Sequence, residues 1–473
     1  MHLRTVLLCS FLVAMVGVAV GRTNSKRGLL TMFHAWLMER LARTAREIEV
    51  LNSLSDEDMK MKASDLLHQS LAQCGMQFPI CYRSYVSQLA ERFEQLEFFC
   101  QQVRAYNDVI FGNDTFKPNF TSEQRKYIDS LKIDFNFNSS TLPRKEIRRM
   151  TETERRVFYL ALRQLRVELI DGVSKYDLIV RMSHPMVAPG AHVGAAFLPW
   201  HREYLRTLET ALRLEQHGLT AGLPYWDSTL DSALPDPTHS ILWHPKFFGN
   251  ARGRVTSGPF ARKKFFIPER DEKVLLTRKM GQHPEGKLFR QEDIEFVLSK
   301  TNYKQLTACV DLTFEQSNRK VYQWVGGSME DFYYASQDFV FFLHHAFADY
   351  LWSKFRTKTG VTNQYPPNYQ ACTKFHEGQS PLEPFAPLTN LQAFSADPVY
   401  GKYYGYEPSP TCANQGCPSD YLFCFKSTGK CVSKILKGGN CTGFEQDSPC
   451  FRSECVNGKC VFLENVKEKP ALT

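Results

Sequence analysis

Apolar residues along the chain recur mostly at intervals of three or four, the period of helices that bury one face. From Tyr82 to Val103, the residues Val86, Leu89, Phe93, Leu96, Phe99 and Val103 form one apolar stripe on an otherwise charged helix. A second period opens at Thr151. There Thr151 and Glu154 have capping-box spacing, and TETERRVFYLALRQLRVELI predicts a helix running to about Met182. Pro189 and Gly190 break the period. It resumes with Leu198, Tyr204 or Leu205, Leu208 and Leu212, with Pro199 in the first turn, where proline is tolerated. A further helix is predicted to begin near Ser336, capped by that residue with Asp338 in its first turn, and to carry Phe342, His345, Asp349 and Trp352 on one face. Between these runs, Asp108 to Arg144 predicts an exposed linker, and the Pro- and Gly-rich segment from Leu223 to Phe260 predicts long ordered loops. The pattern is mainly α.

One helix boundary carries candidate chemistry. The stretch SHPMVAPGAHVGAAFLPWHREYLRTLE, Ser183 to Glu209, places His184, His192 and His201 in an apolar setting with no Cys, Asp or Glu before Glu203. An all-imidazole set suits copper or zinc, and the absence of thiolate leans away from structural zinc. His184 would leave a helix end, His192 a loop, and His201 the start of a buried helix. Side chains from facing helices are how a bundle builds a metal centre. Four further histidines, His217, His239, His244 and His283, lie in or near loops and have the bland reading of surface residues.

The same stretch resembles the first copper-binding motif of the tyrosinases and haemocyanins, the type 3 copper proteins. The resemblance implies that His184, His192 and His201 hold copper A, and that a second motif, HNxxHxWVGG followed by DPxFFLHHxxxDxxW, holds copper B. What stands downstream is EQSNRKVYQWVGGSMEDFYYASQDFVFFLHHAFADYLW, Glu315 to Trp352. Its frame is intact and its chemistry is not. Counting back from Trp324 places Asn318 and Tyr322 where the first two copper B histidines are expected. Arg319 stands where the family has Asn, and Phe339 where it has Pro. His345 alone remains as a copper B remnant. Asp349, one helical turn on, has the spacing to orient its ring, and its bland reading is a surface carboxylate.

Six imidazoles on two copper ions oxidise phenols to catechols and catechols to o-quinones with dioxygen. Here an amide and a phenol stand in for two of them. Asn318 is a poor ligand for Cu(I), and Tyr322 ligates only after losing a proton that is held to about pH 10. The resemblance therefore implies a helical bundle with a type 3 copper-like centre that binds one copper, with a second only if His344 or a loop histidine completes copper B. Two functions follow as expectations. One is a matrix or binding protein whose oxidase activity is lost or much reduced; the other is an active enzyme acting on small phenols or protein tyrosines.

Composition adds an address. Residues 1–21 are basic, then apolar, then small, and predict a signal peptide; no later stretch is long enough to span a membrane. Sequons at Asn113, Asn119, Asn138 and Asn440 fit that route. A net charge of +8 over 473 residues, with basic residues mostly beside acidic ones, indicates no nucleic-acid partner. The expectation is an exported protein with extracellular matrix components as possible partners and no membrane contact after cleavage. Residues 22–150 would be a helical region and glycosylated linker, 151–405 the copper domain and 406–473 a Cys-rich tail. The eight cysteines from Cys412 to Cys460 predict four disulfides of unspecified pairing. Within it, PTCANQGCPSDYLFCFKSTGKCV resembles the tail of molluscan shell-mantle tyrosinases. Cys74, Cys81, Cys100, Cys309 and Cys372 leave one partner odd.

Overall fold

The computed structural model describes residues 119–462 apart from 135–140, 193, 216–218, 262–263, 268–271, 308–312, 332, 361–363, 368–373 and 413–416. The predicted signal peptide, the helix at 82–103, Asn113, Asn138, His217 and the five body cysteines lie outside these residues.

Thr151 and Glu154 open a helix as their spacing requires. Thr151 N donates to Glu154 Oε2 at 2.8 Å, and Glu154 N donates to Thr151 Oγ1 at 3.1 Å. In chain order the described elements begin with α1 (Ser122–Ser130), β1 (Leu142–Arg144) and α2 (Glu152–Val167). The hairpin β2 (Leu169–Ile170) and β3 (Val173–Ser174) follows, and then α3 (Lys175–Met182) and α4 (Phe197–Glu215). The helix expected from Thr151 to Met182 is therefore two helices. Asp171 (φ 48°) and Gly172 (φ 79°) make a tight hairpin turn between them, a conformation an Asp-Gly pair adopts readily. The segment expected to be an irregular linker likewise holds α1, capped by Thr121 and Gln124, and β1.

Four short strands, β4 (Arg252–Arg254), β5 (Lys264–Ile267), β6 (Glu272–Leu275) and β7 (Thr277–Lys279), pair as β4 with β7 and β5 with β6. Next come α5 (Gln291–Ser299), α6 (Thr313–Val325), α7 (Val340–Thr359), α8 (Asn390–Ser395) and α9 (Asp397–Tyr403), and then β8 (Tyr404–Tyr406), which pairs parallel with β1. The α7 helix starts four residues later than its sequence pattern predicts. Asp338 accepts the Val340 N–H at 3.2 Å, while Ser336 turns inward to the Ser183 and Tyr204 hydroxyls. Helix α4 is the hub, packed against α2, α7 and α8. Its residues Trp200, Tyr204, Leu205 and Leu208 are fully buried. The described part is mainly α, and no described helix is long and apolar enough to cross a membrane.

Asp349 is neither a surface carboxylate nor a partner of the His345 ring. It is 3% exposed and accepts from Tyr404 OH at 2.8 Å, Tyr406 OH at 2.7 Å, Arg202 Nε at 3.3 Å and Arg144 Nη1 at 3.4 Å. Glu209 takes Arg144 Nε at 2.7 Å, and Asp397 takes Arg202 Nη1 at 2.6 Å. This network ties α4 and α7 to the β1–β8 pair. Removing one member strands buried charge on its partners. Asp349→Ala is expected to cost about 3–5 kcal/mol in chemical denaturation. A loss under about 1 kcal/mol, the range of an exposed pair, would show the network to be ornamental.

The tail forms two like modules, each a two-stranded hairpin with crossed disulfides. In the first, β9 (Leu422–Phe425) pairs with β10 (Lys430–Ser433), and the bridges are Cys412–Cys424 and Cys417–Cys431. In the second, β11 (Glu454–Val456) pairs with β12 (Lys459–Val461), and the bridges are Cys441–Cys455 and Cys450–Cys460. The four bridges expected from the cysteine spacing are thus present. The tail also has a small core of its own, Phe423, Val432, Ile435 and Phe444 around the half-cystines, closed by Leu234 from the body. Each bridge closes a short loop and contributes about 3 kcal/mol through the unfolded chain. Under native conditions, reduction is expected to expose amides across 412–461 to hydrogen exchange while α4 and α7 stay protected. Loss of protection in all of them together would show that tail and body unfold as one unit.

Candidate metal centre

The three histidines of the first motif come from three settings, as expected. His184 follows the end of α3, His192 sits in the 183–196 loop and His201 is in the second turn of α4. His184 and His201 are 1% and 5% exposed, and His192 is half-buried by its ring and backbone together. Burial without a counter-charge disfavours imidazolium, so His192 is lowered to about 4 and His201 to about 3. Both are neutral at physiological pH, the state a metal requires.

His201 Nδ1 lies 2.9 Å from Phe197 O, a bond that places the ring proton on Nδ1 and leaves Nε2 for a metal. The other two rings rest on backbone: His184 Nδ1 accepts the Met186 N–H at 3.2 Å, and His192 Nε2 meets Ser183 O at 3.3 Å. Among the described residues, the three do not bring ligand atoms within 4.8 Å of one another; the only Cys, His or carboxylate groups that do are disulfide half-cystines. Three imidazoles with no thiolate or carboxylate among them are a donor set that suits one copper ion, which His184, His192 and His201 would hold.

The second half of the centre is filled. The flat ring of His345 stacks on His201 with centroids 3.8 Å apart and planes 4° from parallel. The Tyr322 hydroxyl is hydrogen-bonded to His345 Nε2, and Asn318 Nδ2 reaches the same hydroxyl at 3.3 Å. Phe341 closes on His345 with centroids 4.3 Å apart. The nitrogen that would meet copper B is thus engaged by a phenol, and the neighbouring position is an amide. These residues do not fit a second copper. Nor does His344 replace the missing ligands. Its Nε2 lies 3.0 Å from the Asn318 backbone carbonyl, and its ring packs on Phe289 with centroids 5.4 Å apart.

The remaining predicted positions divide. Arg319 is half-buried on α6 beside Asn318. Phe339 packs on Phe158, Tyr176, Phe260 and Phe342, and is part of the core rather than of the metal's surroundings. His239 is bound to Asp236 at 2.8 Å, and His244 faces Phe451; neither joins the cluster. His283 lies 3.8 Å from Glu330 and is likewise outside it. One buried histidine escaped the sequence reading. His376 is 2% exposed, lies against the His192 loop and is lowered by burial to about 3. Its segment contains no motif, and only the packing reveals it.

The frame of the second motif persists for a backbone reason. Gly326 and Gly327 have φ of 64° and 63°, and a Cβ on Gly327 would stand 2.4 Å from Thr277 O. The WVGG turn therefore packs on β7 whether or not α6 carries ligands.

The model for the common central domain of tyrosinase matches residues 173–358. The chain is 31% identical over 352 residues to tyrosinase-like protein 2 of Margaritifera margaritifera, covering 67% of this chain and 75% of that one. It is 34% identical over 351 residues to the tyrosinase-like protein tyr-3 of Caenorhabditis elegans, covering 70% of this chain and 49% of that one. It thus spans about half the length of the nematode relative. Among solved structures, a polyphenol oxidase of Thermothelomyces thermophila is similar at TM-score 0.44 and 17% identity, over 63% of this chain and 100% of that chain. The chain belongs to the tyrosinase family, and membership implies copper as its metal.

Proposed function

We propose that this is an exported, copper-binding member of the tyrosinase family. It holds one copper through His184, His192 and His201, and its oxidation of phenols and catechols is lost or much reduced. Copper there supplies a redox-active cation. Of the residues that hold it, His184 and His201 are buried, and His201 is aligned through the Phe197 carbonyl. Two-electron oxidation of a catechol needs both halves of the centre. The observation that carries the reading is Tyr322 on His345 Nε2, where a second ion would have to bind. Export rests on the predicted signal peptide and the paired tail cysteines, since bridges of this density persist in oxidising compartments. The remaining role is that of a matrix or binding component, and the molluscan relatives are themselves named tyrosinase-like proteins.

The test measures copper per chain and catechol turnover on the purified, copper-loaded protein. One copper that is lost in His201→Ala, with turnover near background, is expected. Two coppers with robust catechol oxidation would overturn the reading and establish an active oxidase.

A further inference from the structure

Three side chains outside the histidine set hold the loop that carries His192. Glu315, on α6 one turn ahead of Asn318, accepts the Gly194 N–H at 3.0 Å. Tyr303 donates its hydroxyl to the Ala195 carbonyl at 2.6 Å. His376 accepts the Ala196 N–H on Nδ1 at 3.2 Å and is also hydrogen-bonded to the His192 backbone. Exposures of 0% for Tyr303, 9% for Glu315 and 2% for His376 place all three inside the protein.

The loop needs such partners. It joins α3 to α4 without a ladder of its own, and Gly194 has φ of 119°, so neither sheet pairing nor side-chain bulk defines its path. Its buried amides must still be satisfied. The segment bearing His376 is itself fixed. Asn390 Nδ2 donates to Phe375 O and to Glu377 O, each at 2.8 Å, and Tyr365 OH donates to His376 O at 2.7 Å. The oxygen of Phe375 also lies 3.1 Å from where a Cβ on Gly190 would stand. Restraint thus reaches the loop from α6, from the turn at Tyr303 and from the 374–377 segment.

We propose that Glu315, Tyr303 and His376 are positioning residues for the copper held by His184, His192 and His201. They act by fixing the backbone at Gly194, Ala195 and Ala196, just after His192, rather than by ligation. The inference rests on the one-copper reading above. It also gives α6 a present role: the helix that has lost copper ligands at Asn318 and Tyr322 still sets the path of His192 through Glu315. Such partners typically govern metal affinity by 10- to 100-fold, because they hold the ligand where the metal needs it.

The test uses the full-length protein, with copper affinity from competition against a chelator, the EPR spectrum of the Cu(II) form and melting of the metal-free form. Glu315→Ala is expected to weaken copper about 10- to 100-fold and to shift the copper hyperfine splitting. Glu315→Gln, which keeps an acceptor oxygen, is expected to restore both. Tyr303→Phe, which removes one hydroxyl and keeps the ring, should show a smaller change in the same direction and guards against misfolding of the alanine variant. The proposal is overturned if Glu315→Ala and Tyr303→Phe keep the parent affinity and spectrum. It is equally overturned if Glu315→Gln is no better than Glu315→Ala and the loss tracks the fall in metal-free melting temperature. A parent protein that binds no copper, or whose copper is indifferent to His201→Ala, refutes the one-copper reading and this inference with it. A parent copper lost in His201→Ala but unmoved by Glu315→Ala refutes this inference alone.

Discussion

The metal-free protein is expected to lose stability steeply as pH falls below about 6.5. His192 is lowered to about 4 and His201, His344 and His376 to about 3, while His345 lies well below the ordinary value, each chiefly through burial. In the unfolded chain these rings titrate near 6.5. Between the folded and unfolded values the unfolded chain binds more protons, so stability is complete above about 6.5 and declines as pH falls toward about 3. Each such histidine costs roughly 1 kcal/mol per pH unit in that window, and the group together about 5 kcal/mol per unit. Set against a total stability of about 5–15 kcal/mol, this predicts unfolding or opening of the centre near pH 5. Melting curves of the metal-free protein from pH 8 to pH 4.5 measure it. A melting temperature flat across that range would show that the rings are not held neutral. Bound copper also requires neutral imidazole, so a loaded sample should resist acid further before releasing its metal.

What the sequence made legible was whatever has a local cause. The capping box at Thr151 and Glu154, the helix behind His201 and the breaker at Pro189 and Gly190 each depend on neighbours within one turn. All three are present. The Asp171-Gly172 turn was equally local, but the apolar period ran on past it and masked the hairpin. Asp349 and Ser336 were misread for a different reason. Their spacing suited an orienting partner and a cap, but Asp349 is claimed by Arg144 from residues expected to be linker and by Tyr404 and Tyr406 from far downstream. Ser336 is claimed by Ser183 and Tyr204. No local pattern announces such partners. His376 and Glu315 belong to the same class: single residues without a motif, made meaningful by a loop more than a hundred positions away.

The degenerate half-centre raises the question of whether its defect is confined to α6. The WVGG turn and the packing of α6 on α7 are both in place, which favours a local defect. Asn318 and Tyr322 are four residues apart on one face of α6, and Asn318 Nδ2 and His345 Nε2 both meet the Tyr322 hydroxyl. Two imidazoles at that spacing reach one ion. Asn318→His with Tyr322→His would therefore supply two ligands and remove the phenol from His345 Nε2 in the same step. Either change alone leaves two imidazoles, and groups that act as a unit are strongly non-additive, so neither single variant is expected to suffice. Arg319 opposes the repair, because a guanidinium that stays charged at any relevant pH stands beside the new site; Arg319→Asn is included to remove it. The triple variant is expected to bind two coppers and to oxidise a simple catechol at least about 100-fold faster than the parent, the scale on which changes around a metal act. Copper per chain by mass spectrometry and quinone formation by absorbance decide it. A triple variant that folds as the parent does but takes up a single copper would mean that the loss extends beyond α6 into the loops around the centre.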